Sequence, residues 1–443
     1  MDTTPASGAA ATASRRRMLP WFLGWLAVTA GVLAFQARPA QTPLDVDEFY
    51  WIGSTYYHHL AFERGEWRHP DWRLLPAREN PPVAKYVLGL GLSLGGQPIA
   101  TPDLLGTFYL IFQHTPHAWG EGEAYAKRNA VVERMRPELR ERLRSGAQLQ
   151  LDTRLLFAGR RTILACMVVT SLLVFLLGAR LVHPLAGLLA SALLGMHPTA
   201  VQSYNLAHSD IVALLFSTAA AWATFAFVKR IRDPDVPTGT ALFLRAAGTG
   251  LLLALACGAK MNALVVFALA GAAVAIALFQ RWRRDARGFG PAVAAGATVA
   301  ATALAGFIAL NPAITGDPIG GLAATVTEHR ATELIQARFM RDHLITLPAK
   351  FAAVGQLTAK STLALAVVAA AAFGLVLRSR HDGLRFLALW FLIGLLAVTL
   401  WIPFPIGRYV LPLVLPGVLL LGGLAGAGAE RLWRRFRGQP VES

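Results

Sequence analysis

Long apolar runs separated by short polar links repeat along most of the chain. Ten such runs occupy residues 19–36, 162–181, 185–203, 210–228, 241–257, 261–279, 291–311, 361–377, 384–401 and 408–428. Each has close to the ~20 residues that a helix needs to cross a hydrocarbon core about 30 Å thick. The pattern therefore predicts an all-α polytopic membrane protein with about ten transmembrane helices.

Basic residues fall in alternate links between these runs. If the N-terminus is cytoplasmic, the short outer links contain only Lys260 and Arg408. The short inner segments contain a much larger set: Arg15, Arg16, Arg17, Arg180, Lys229, Arg230, Arg232, Arg281, Arg283, Arg284, Arg287, Arg378, Arg380, Arg385, Arg431, Arg434, Arg435 and Arg437. Because Arg and Lys concentrate in cytoplasmic loops, we expect the tails 1–18 and 429–443 to be cytoplasmic.

Two polar stretches are too long to be simple links, and both fall on the outer side. Residues 37–160 follow the first predicted helix, 19–36, and hold 14 of the 26 acidic residues. Residues 312–350 separate a predicted transmembrane bundle at 161–311 from C-terminal transmembrane helices at 351–428. We expect these two outer segments to carry the functional groups that recognise other molecules.

The first outer segment contains helical patterns that are too short to span a membrane. Residues 83–96 (VAKYVLGLGLSLGG) and 104–114 (LLGTFYLIFQH) are apolar, and we expect them to form helices that lie in the membrane interface. Residues 121–146 are rich in charge and indicate a solvated pair of helices broken at Pro137.

The composition agrees with a membrane protein and excludes several other classes. Charged residues make up 15% of the chain and hydrophobic residues 55%, whereas soluble domains have about 25% charged residues. The net charge of +16 does not indicate a nucleic-acid partner, because the positive residues lie between apolar runs. Cys166 and Cys257 fall inside predicted spans, which excludes a disulfide framework and a CxxC metal site. We interpret the apolar run after the basic N-terminal residues as a retained first helix.

Carboxylates occur where the chain leaves or enters the membrane on its outer side. Asp47 and Glu48 follow the first span by about a dozen residues, and Asp210 opens the fourth span. A loop carboxylate or a helix cap is the simpler interpretation of each. Ionisable groups at membrane depth are nevertheless costly, and they often mark functional sites.

Cations occur at the same outer level. Lys85 lies in the first turns of a helix that opens with Pro81 and Pro82, Lys260 occupies a tight outer link, and Arg408 precedes Tyr409 at the last outer link. A lysine reaching the membrane surface, or an interfacial anchor, is the simpler interpretation. The outer positions do not serve membrane orientation, so contact with a lipid phosphate is the functional alternative.

Acids and cations that converge on one membrane face suit group transfer from a lipid-linked phosphosugar. Cations would stabilise the phosphate as it leaves. A carboxylate would take the proton from the acceptor hydroxyl or amine, a contribution of roughly 10²–10⁴ in rate. A nucleotide fold is not needed, and the sequence has neither a P-loop nor a GxGxxG motif.

The ordered set of motifs resembles the C-type glycosyltransferases that depend on a lipid carrier, in particular protein O-mannosyltransferases and lipid A aminoarabinose transferases. The set comprises Asp47-Glu48 after the first span, the Pro-Pro helix, the span-opening Asp210, the GxK link at Lys260 and the late Arg408-Tyr409. The resemblance implies that Asp47 is the catalytic base and that Asp210 corresponds to the span-opening Asp of the family. Because adjacent side chains point in different directions, Glu48 is expected to support the base. The resemblance also implies that Lys85, Lys260, Arg408 and Tyr409 bind the donor phosphate. Asp210 is expected either to orient the acceptor or to raise the pKa of Asp47 towards neutrality by like-charge proximity.

The chain departs from the resemblance before the Pro-Pro pair. The family often has His or Lys there, and this chain has Glu79-Asn80. Some members hold a metal near the lipid phosphate through such positions, and Asn80 weakens that expectation. Ligands remain available in Glu79 and in the loop histidines: His58, His59 and His69. No cofactor is therefore certain, and a divalent metal stays an open alternative.

The partners expected from the sequence are a polyprenyl-phosphate sugar donor, membrane lipids and an acceptor that is a glycan, a lipid or a protein. The acceptor site is expected to include part of residues 312–350. One alternative is a transporter or flippase of a lipid-linked glycan, although the charges gather at one face and the sequence has no evident inverted repeat. A second alternative, a non-catalytic scaffold of the cell envelope, does not explain the acids and cations at the outer span ends.

Overall fold

A computed structural model of the chain describes residues 7–113, 122–147, 151–233, 239–284, 288–339 and 344–437. Regular structure within these ranges is helical, and no strand occurs in them. The first outer segment contains, after α1 (Ser7–Gln36), the helices α2 (Val46–Gly53), α3 (Tyr56–His58), α4 (Leu75–Glu79), α5 (Val83–Leu94), α6 (Asp103–Gln113), α7 (Glu123–Val132) and α8 (Pro137–Arg144). A π-helical turn at His59–Glu63 and a 3₁₀ turn at Pro70–Arg73 connect α3 to α4.

The rest of the chain forms the bundle and, between its helices, the second outer segment. Its helices are α9 (Thr153–Leu181), α10 (Pro184–Met196), α11 (Pro198–Tyr204), α12 (Asp210–Arg232), α13 (Thr240–Ala259), α14 (Leu264–Arg284), α15 (Phe289–Ala309), α16 (Pro312–Thr315), α17 (Pro318–Phe339), α18 (Leu347–Ala359), α19 (Thr362–Arg378), α20 (Asp382–Trp401) and α21 (Leu411–Phe436). Short 3₁₀ turns at Met261–Ala263 and Gly407–Val410 precede α14 and α21.

The helices suit a membrane in number and length. Within the described part of the chain, eight are long and apolar enough to cross it, or ten if two bent pairs are counted as single spans. An α-helix satisfies its own backbone polar groups, which is why apolar segments of this length span lipid as helices. The predicted fold class is therefore confirmed.

Two of the predicted spans differ from continuous helices. The predicted span at 185–203 is a pair, α10 and α11, bent by 69° at Pro198, because a proline ring displaces the preceding turn and lacks an N–H. The predicted span at 361–377 corresponds to α19, which meets α18 at 91°. Lys360 turns the chain between them with φ 55°. The second predicted span also begins earlier than expected, since α9 starts at Thr153.

Small residues let the bundle helices approach closely. A Cβ atom on Gly187 would lie 2.0 Å from the backbone oxygen of Phe175, so α9 and α10 touch through their backbones. A Cβ atom on Gly422 would lie 2.6 Å from the backbone oxygen of Ala186, which brings α21 against α10. Packing of this kind drives helix association where lipid removes the hydrophobic driving force.

The first outer segment packs on one end of the bundle. Helix α2 contacts α5 and α6, α5 contacts α9, and α17 contacts α4. The expected helices at 83–96, 104–114 and 121–146 occur as α5, as α6 and as the pair α7 and α8, with Pro137 at the start of α8. Helices α12 and α14 begin, and α13 and α20 end, at the side of the bundle that this segment covers.

Candidate active site

A cleft of about 720 Å³, including space open to solvent, lies between the bundle and the outer helices. Its walls combine charged, amide and aromatic side chains: Asp47, Tyr50, Trp51, Glu79, Asn80, Phe108, Lys260, Asn262, His329, Thr332, Trp401, Arg408 and Tyr409. Four of the seven predicted site residues, Asp47, Lys260, Arg408 and Tyr409, line it. A fifth, Asp210, is not a wall residue of this cleft but contacts Lys260, which is one.

The first turn of α2 presents Asp47 to the cleft. Asp45 caps this helix, and its carboxylate accepts a hydrogen bond from the Asp47 backbone N–H at 2.9 Å. Glu48 completes a capping box, because its Oε2 accepts from the Asp45 backbone N–H at 3.0 Å. Reciprocal capping fixes the start of a helix, so the direction of Asp47 is set by its two neighbours.

Asp47 forms an ion pair with Arg408, whose Nη1 lies 2.6 Å from Oδ2 of Asp47. Burial alone would raise the pKa of Asp47, but the positive charges of Arg408 first, and of Lys260, outweigh it and hold this pKa below its usual value. The expectation that Asp210 raises the pKa of Asp47 is therefore wrong in sign, because nearby cations compensate that carboxylate. Asp47 is ionised at neutral pH.

A second ion pair lies beside the first. Nζ of Lys260 donates to Oδ1 of Asp210 at 2.6 Å, and both side chains are buried. The ring of Tyr409 lies next to both cations: its centroid is 5.8 Å from Nζ of Lys260 and 5.9 Å from Cζ of Arg408. Cations at this distance are attracted by an aromatic ring, so Tyr409 helps to hold the two positive charges together.

Glu48 lies outside the cleft. Its side chain is completely buried, and Arg160 donates to it through Nε at 2.8 Å and Nη2 at 2.6 Å. Its Oε1 also accepts from the backbone N–H of Ala207 at 2.9 Å. These contacts occupy the carboxylate, so the structure gives Glu48 a place in the support of the site and no contact with the cleft.

Lys85 is likewise absent from the cleft walls. Its side chain is completely buried, and its ammonium donates to the backbone oxygens of Pro76 and of Asn80, the latter at 2.6 Å. It also lies 5.1 Å from the ring centroid of Tyr57. Burial lowers the pKa of Lys85 to about 7. The structure thus places Lys85 behind the segment that carries Glu79 and Asn80, and these two residues face the cleft in its stead.

One group of side chains within the described ranges has ligand atoms close enough for a metal. The candidate ligand atoms of Asp45, Asp47 and His208 lie within 4.8 Å of one another. His208 is buried, and its Nε2 has no hydrogen-bond partner among the described residues. Burial, and then the charge of Arg408, lower the pKa of His208, which keeps the imidazole neutral, as a metal ligand must be.

This ligand set fits a divalent transition metal, because carboxylates and imidazole together suit Zn²⁺, Mn²⁺ or Fe²⁺. It differs from the ligands considered in the sequence. The Nδ1 of His59 lies 2.6 Å from Glu63, and His69 caps the turn at Pro70–Arg73. His58 packs near Glu63 as well, at 3.6 Å, so the loop histidines have other neighbours.

Sequence reasoning missed two residues near the site. His208 stands two positions before Asp210, and this His-x-Asp spacing at a span start was a usable signal. Arg160 lies near the N-terminal end of α9, one residue before the predicted bundle boundary, and its burial depends on tertiary packing that the sequence does not reveal.

Comparison with known proteins identifies the fold. No family model and no curated protein matches the chain. Among solved structures, ArnT from Cupriavidus metallidurans bound to undecaprenyl phosphate matches with a TM-score of 0.52 and 15% identity, over 95% of this chain and 62% of that one. The archaeal oligosaccharyltransferase AglB from Archaeoglobus fulgidus, in complex with an inhibitory peptide and a dolichol-phosphate, matches with a TM-score of 0.50 and 12% identity, over 96% of this chain and 53% of that one.

The chain thus spans between about half and two thirds of the length of these structures. Identities this low establish a shared fold and leave the activity to be argued from the site. The resemblance expected from the sequence motifs is confirmed at that level. The chain has the all-helical, multi-pass membrane fold of the glycosyltransferases ArnT and AglB.

Proposed function

We propose that the protein is a membrane glycosyltransferase that moves a sugar from a polyprenyl-phosphate donor to an acceptor at the outer face of the cell membrane. The observation that carries the proposal is that Asp47, Arg408 and Lys260 line one cleft, with Asp47 paired to Arg408 and Lys260 paired to Asp210 beside it. A base and two phosphate-binding cations are thereby within reach of one substrate. Kinship in fold with proteins bound to undecaprenyl phosphate and to dolichol-phosphate supports this reaction class.

The donor phosphate would bind between Lys260 and Arg408, with the lipid tail running into the bundle. A second, narrow cleft of about 340 Å³, including space open to solvent, is lined by Asp210 and Asn262. Asn262 also lines the first cleft, so the two spaces adjoin. The remaining walls of the second cleft are almost entirely apolar, contributed by α12, α14, α20 and α21: Ala213, Leu214, Ser217, Ala263, Val265, Val266, Trp390, Leu411, Pro412 and Leu415. This arrangement suits a phosphate head followed by a hydrocarbon chain.

Binding of the donor would free the base. The phosphate oxygens compete with Asp47 for Arg408, and loss of that ion pair raises the pKa of Asp47. The acceptor oxygen or nitrogen then attacks the anomeric carbon while the bond from that carbon to the phosphate oxygen breaks. Asp47 takes the acceptor proton, and the leaving phosphate keeps the electron pair. Lys260 and Arg408 offset the charge that develops on it.

A divalent metal is not required by this scheme. A cation held by Asp45, Asp47 and His208 would supply further positive charge beside the donor phosphate. Proton transfer to Asp47 and the contacts of Lys260 and Arg408 with the phosphate do not depend on a metal.

The acceptor would enter between α17 and the outer helices. His329 and Thr332, both on α17, line the same cleft as Asp47. Nδ1 of His329 lies 3.1 Å from the backbone oxygen of Glu79, and Lys127 of α7 contacts Glu328 at 3.0 Å. These contacts tie the second outer segment to the first, and they support a contribution of residues 312–350 to acceptor recognition.

A reconstitution experiment separates transfer from transport. Proteoliposomes would receive undecaprenyl phosphate carrying a radiolabelled pentose or hexose, with an envelope extract of the producing cells as the acceptor source. We expect the label to leave the lipid and free undecaprenyl phosphate to accumulate. Movement of intact labelled lipid between leaflets, without cleavage, would favour the flippase alternative and refute the proposal.

A further inference from the structure

Arg160 is a buried charge at the outer end of a transmembrane helix. It is the eighth residue of α9 (Thr153–Leu181), and only 1% of its surface is exposed. Its neighbour Arg161 is exposed. An arginine within a membrane-spanning helix is costly unless all its donors are satisfied, and such residues usually have a function. Arg160 lines neither of the two clefts described above, so that function is not contact with substrate.

All five N–H donors of the guanidinium have an acceptor. Nε and Nη2 bind the two oxygens of Glu48 in a forked arrangement. Nη1 donates to the backbone oxygens of Pro39 and of Thr42, the latter at 2.8 Å, and Nη2 donates also to Pro43 at 3.0 Å. An arginine has five such donors in a fixed plane. Only a planar fork can therefore make this set of contacts.

Glu48 extends the network to two further segments. Its Oε2 accepts from the backbone N–H of Asp45, at the start of the helix that carries Asp47. Its Oε1 accepts from the backbone N–H of Ala207, three residues before Asp210. The Arg160–Glu48 pair thus joins the link after α1, the first turn of α2 and the segment that leads into α12.

We propose that Arg160 is a positioning residue that sets the separation between Asp47 and Asp210 and aims Asp47 at the donor. This inference rests on the proposed function. Lys260 and Arg408, which would bind the phosphate, belong to segments that the network does not touch. Loss of the network should therefore disturb the base and leave the donor-binding cations in place.

The first test is Arg160→Lys, with Arg161→Lys as the matched control. A lysine presents its donors from one atom and cannot reproduce the fork. A displacement of Asp47 by about 1 Å should lower the rate roughly 10²-fold. The assay uses radiolabelled undecaprenyl-phosphate sugar and a fixed amount of envelope extract. We expect the apparent kcat to fall, with the donor KM unchanged, and Arg161→Lys to behave as wild type.

A double-mutant comparison shows whether Arg160 acts through Asp47. If it does, adding Arg160→Lys to Asp47→Asn lowers the residual rate no further, because groups that act as a unit are non-additive. If Arg160 only stabilises the fold, the two losses multiply, and the inference is overturned. The variant Arg160→Met/Glu48→Gln leaves no buried charge unpaired, so it serves where Arg160→Lys does not fold, with the same expected non-additivity.

The outcomes also separate this inference from the function on which it rests. Wild-type transfer together with an unchanged kcat in Arg160→Lys, or with an equal rise in donor KM, overturns the positioning role alone. Absence of transfer by both wild type and Arg161→Lys, from every pentose and hexose donor tried, overturns the proposed function and the positioning role together.

Discussion

Replacing Arg408 by glutamine should move the pH dependence of the reaction in a direction that the structure specifies. Arg408 is 2.6 Å from Asp47 and contributes most to keeping the pKa of that carboxyl below its ordinary value of 3.8. An opposite charge at this distance shifts a carboxyl pKa by about 1–3 units. Without it, burial is the largest remaining influence, and burial raises the pKa of Asp47. Asp47 should then be protonated at a higher pH.

The assay is the dependence of kcat/KM on pH, which reports the ionisation of the free enzyme. In the wild type, the pKa of Asp47 lies below its ordinary value of 3.8, so its protonation should not limit activity near neutral pH. In Arg408→Gln, the decline of activity on the acid side should lie at a higher pH than in the wild type, because the carboxyl has lost its nearest positive charge. The rate at high pH should also fall by about 10²–10³, since one donor to the leaving phosphate is lost.

Arg408→Lys is the matched control. It keeps the positive charge and loses the planar fork, so the rate should drop while the acid limb stays near its wild-type position. An acid limb in Arg408→Gln that coincides with the wild-type limb, or lies at lower pH, would refute Asp47 as the titrating base.

Four further predictions follow from the fold and the site. A cysteine at Ser145 should react with a membrane-impermeant reagent on intact cells, and one at Ser443 only after permeabilisation; equal labelling of both would contradict the topology. Lys85→Met should lower the melting temperature, because the half-buried carbonyl of Asn80 loses its donor, at about 1–3 kcal/mol, and that of Pro76 keeps only the hydrogen bond from Tyr50 at 3.3 Å, while the donor KM stays unchanged; a large rise in donor KM would show instead that Lys85 binds the phosphate. Deletion of residues 325–338 should reduce transfer to the acceptor but not binding of undecaprenyl phosphate; intact transfer would exclude α17 from the acceptor site. Added Mn²⁺ should raise the melting temperature of the wild type more than that of His208→Ala; equal shifts would exclude His208 as a metal ligand.

The positions of the helices were predictable because span length and apolar content follow directly from bilayer thickness. The break in the helix at Pro198 was less predictable. The sequence placed this proline near a span end, and the structure uses it to bend the chain by 69° between two short helices. A proline identifies the place where a helix is disturbed, but the packing of neighbouring helices decides whether the chain kinks or ends there.

The convergence of Asp210, Lys260 and Arg408 was predictable because the sequence places each of them at a span end on the same predicted side of the membrane, and Asp47 follows the first span on that side. It was partly predictable that Asp47 and Glu48 have different positions, with Asp47 in the cleft wall and Glu48 buried beside Arg160. Adjacent side chains on a helix point in different directions, and the spacing of Asp45 and Glu48 is that of a capping box.

The place of Lys85 could not be read from the sequence. Its position in the first turn of α5 suits either a phosphate contact or a buried support. In the structure, the Lys85 ammonium is buried because it donates hydrogen bonds to the carbonyl oxygens of Pro76 and Asn80 in the preceding segment. That segment is irregular, and its path depends on tertiary contacts that have no periodic signal in the sequence.

The most direct test of the central claim is transfer by Asp47→Asn. The variant keeps the shape of the side chain and removes its ability to accept a proton. Purified protein would be assayed with radiolabelled undecaprenyl-phosphate sugar and envelope extract, beside wild type and Glu138→Gln, an exposed acid in α8. We predict a loss of at least about 10² in rate, with binding of undecaprenyl phosphate and membrane insertion retained. Near-wild-type turnover by Asp47→Asn would contradict the account and make Asp210 the next candidate for the base.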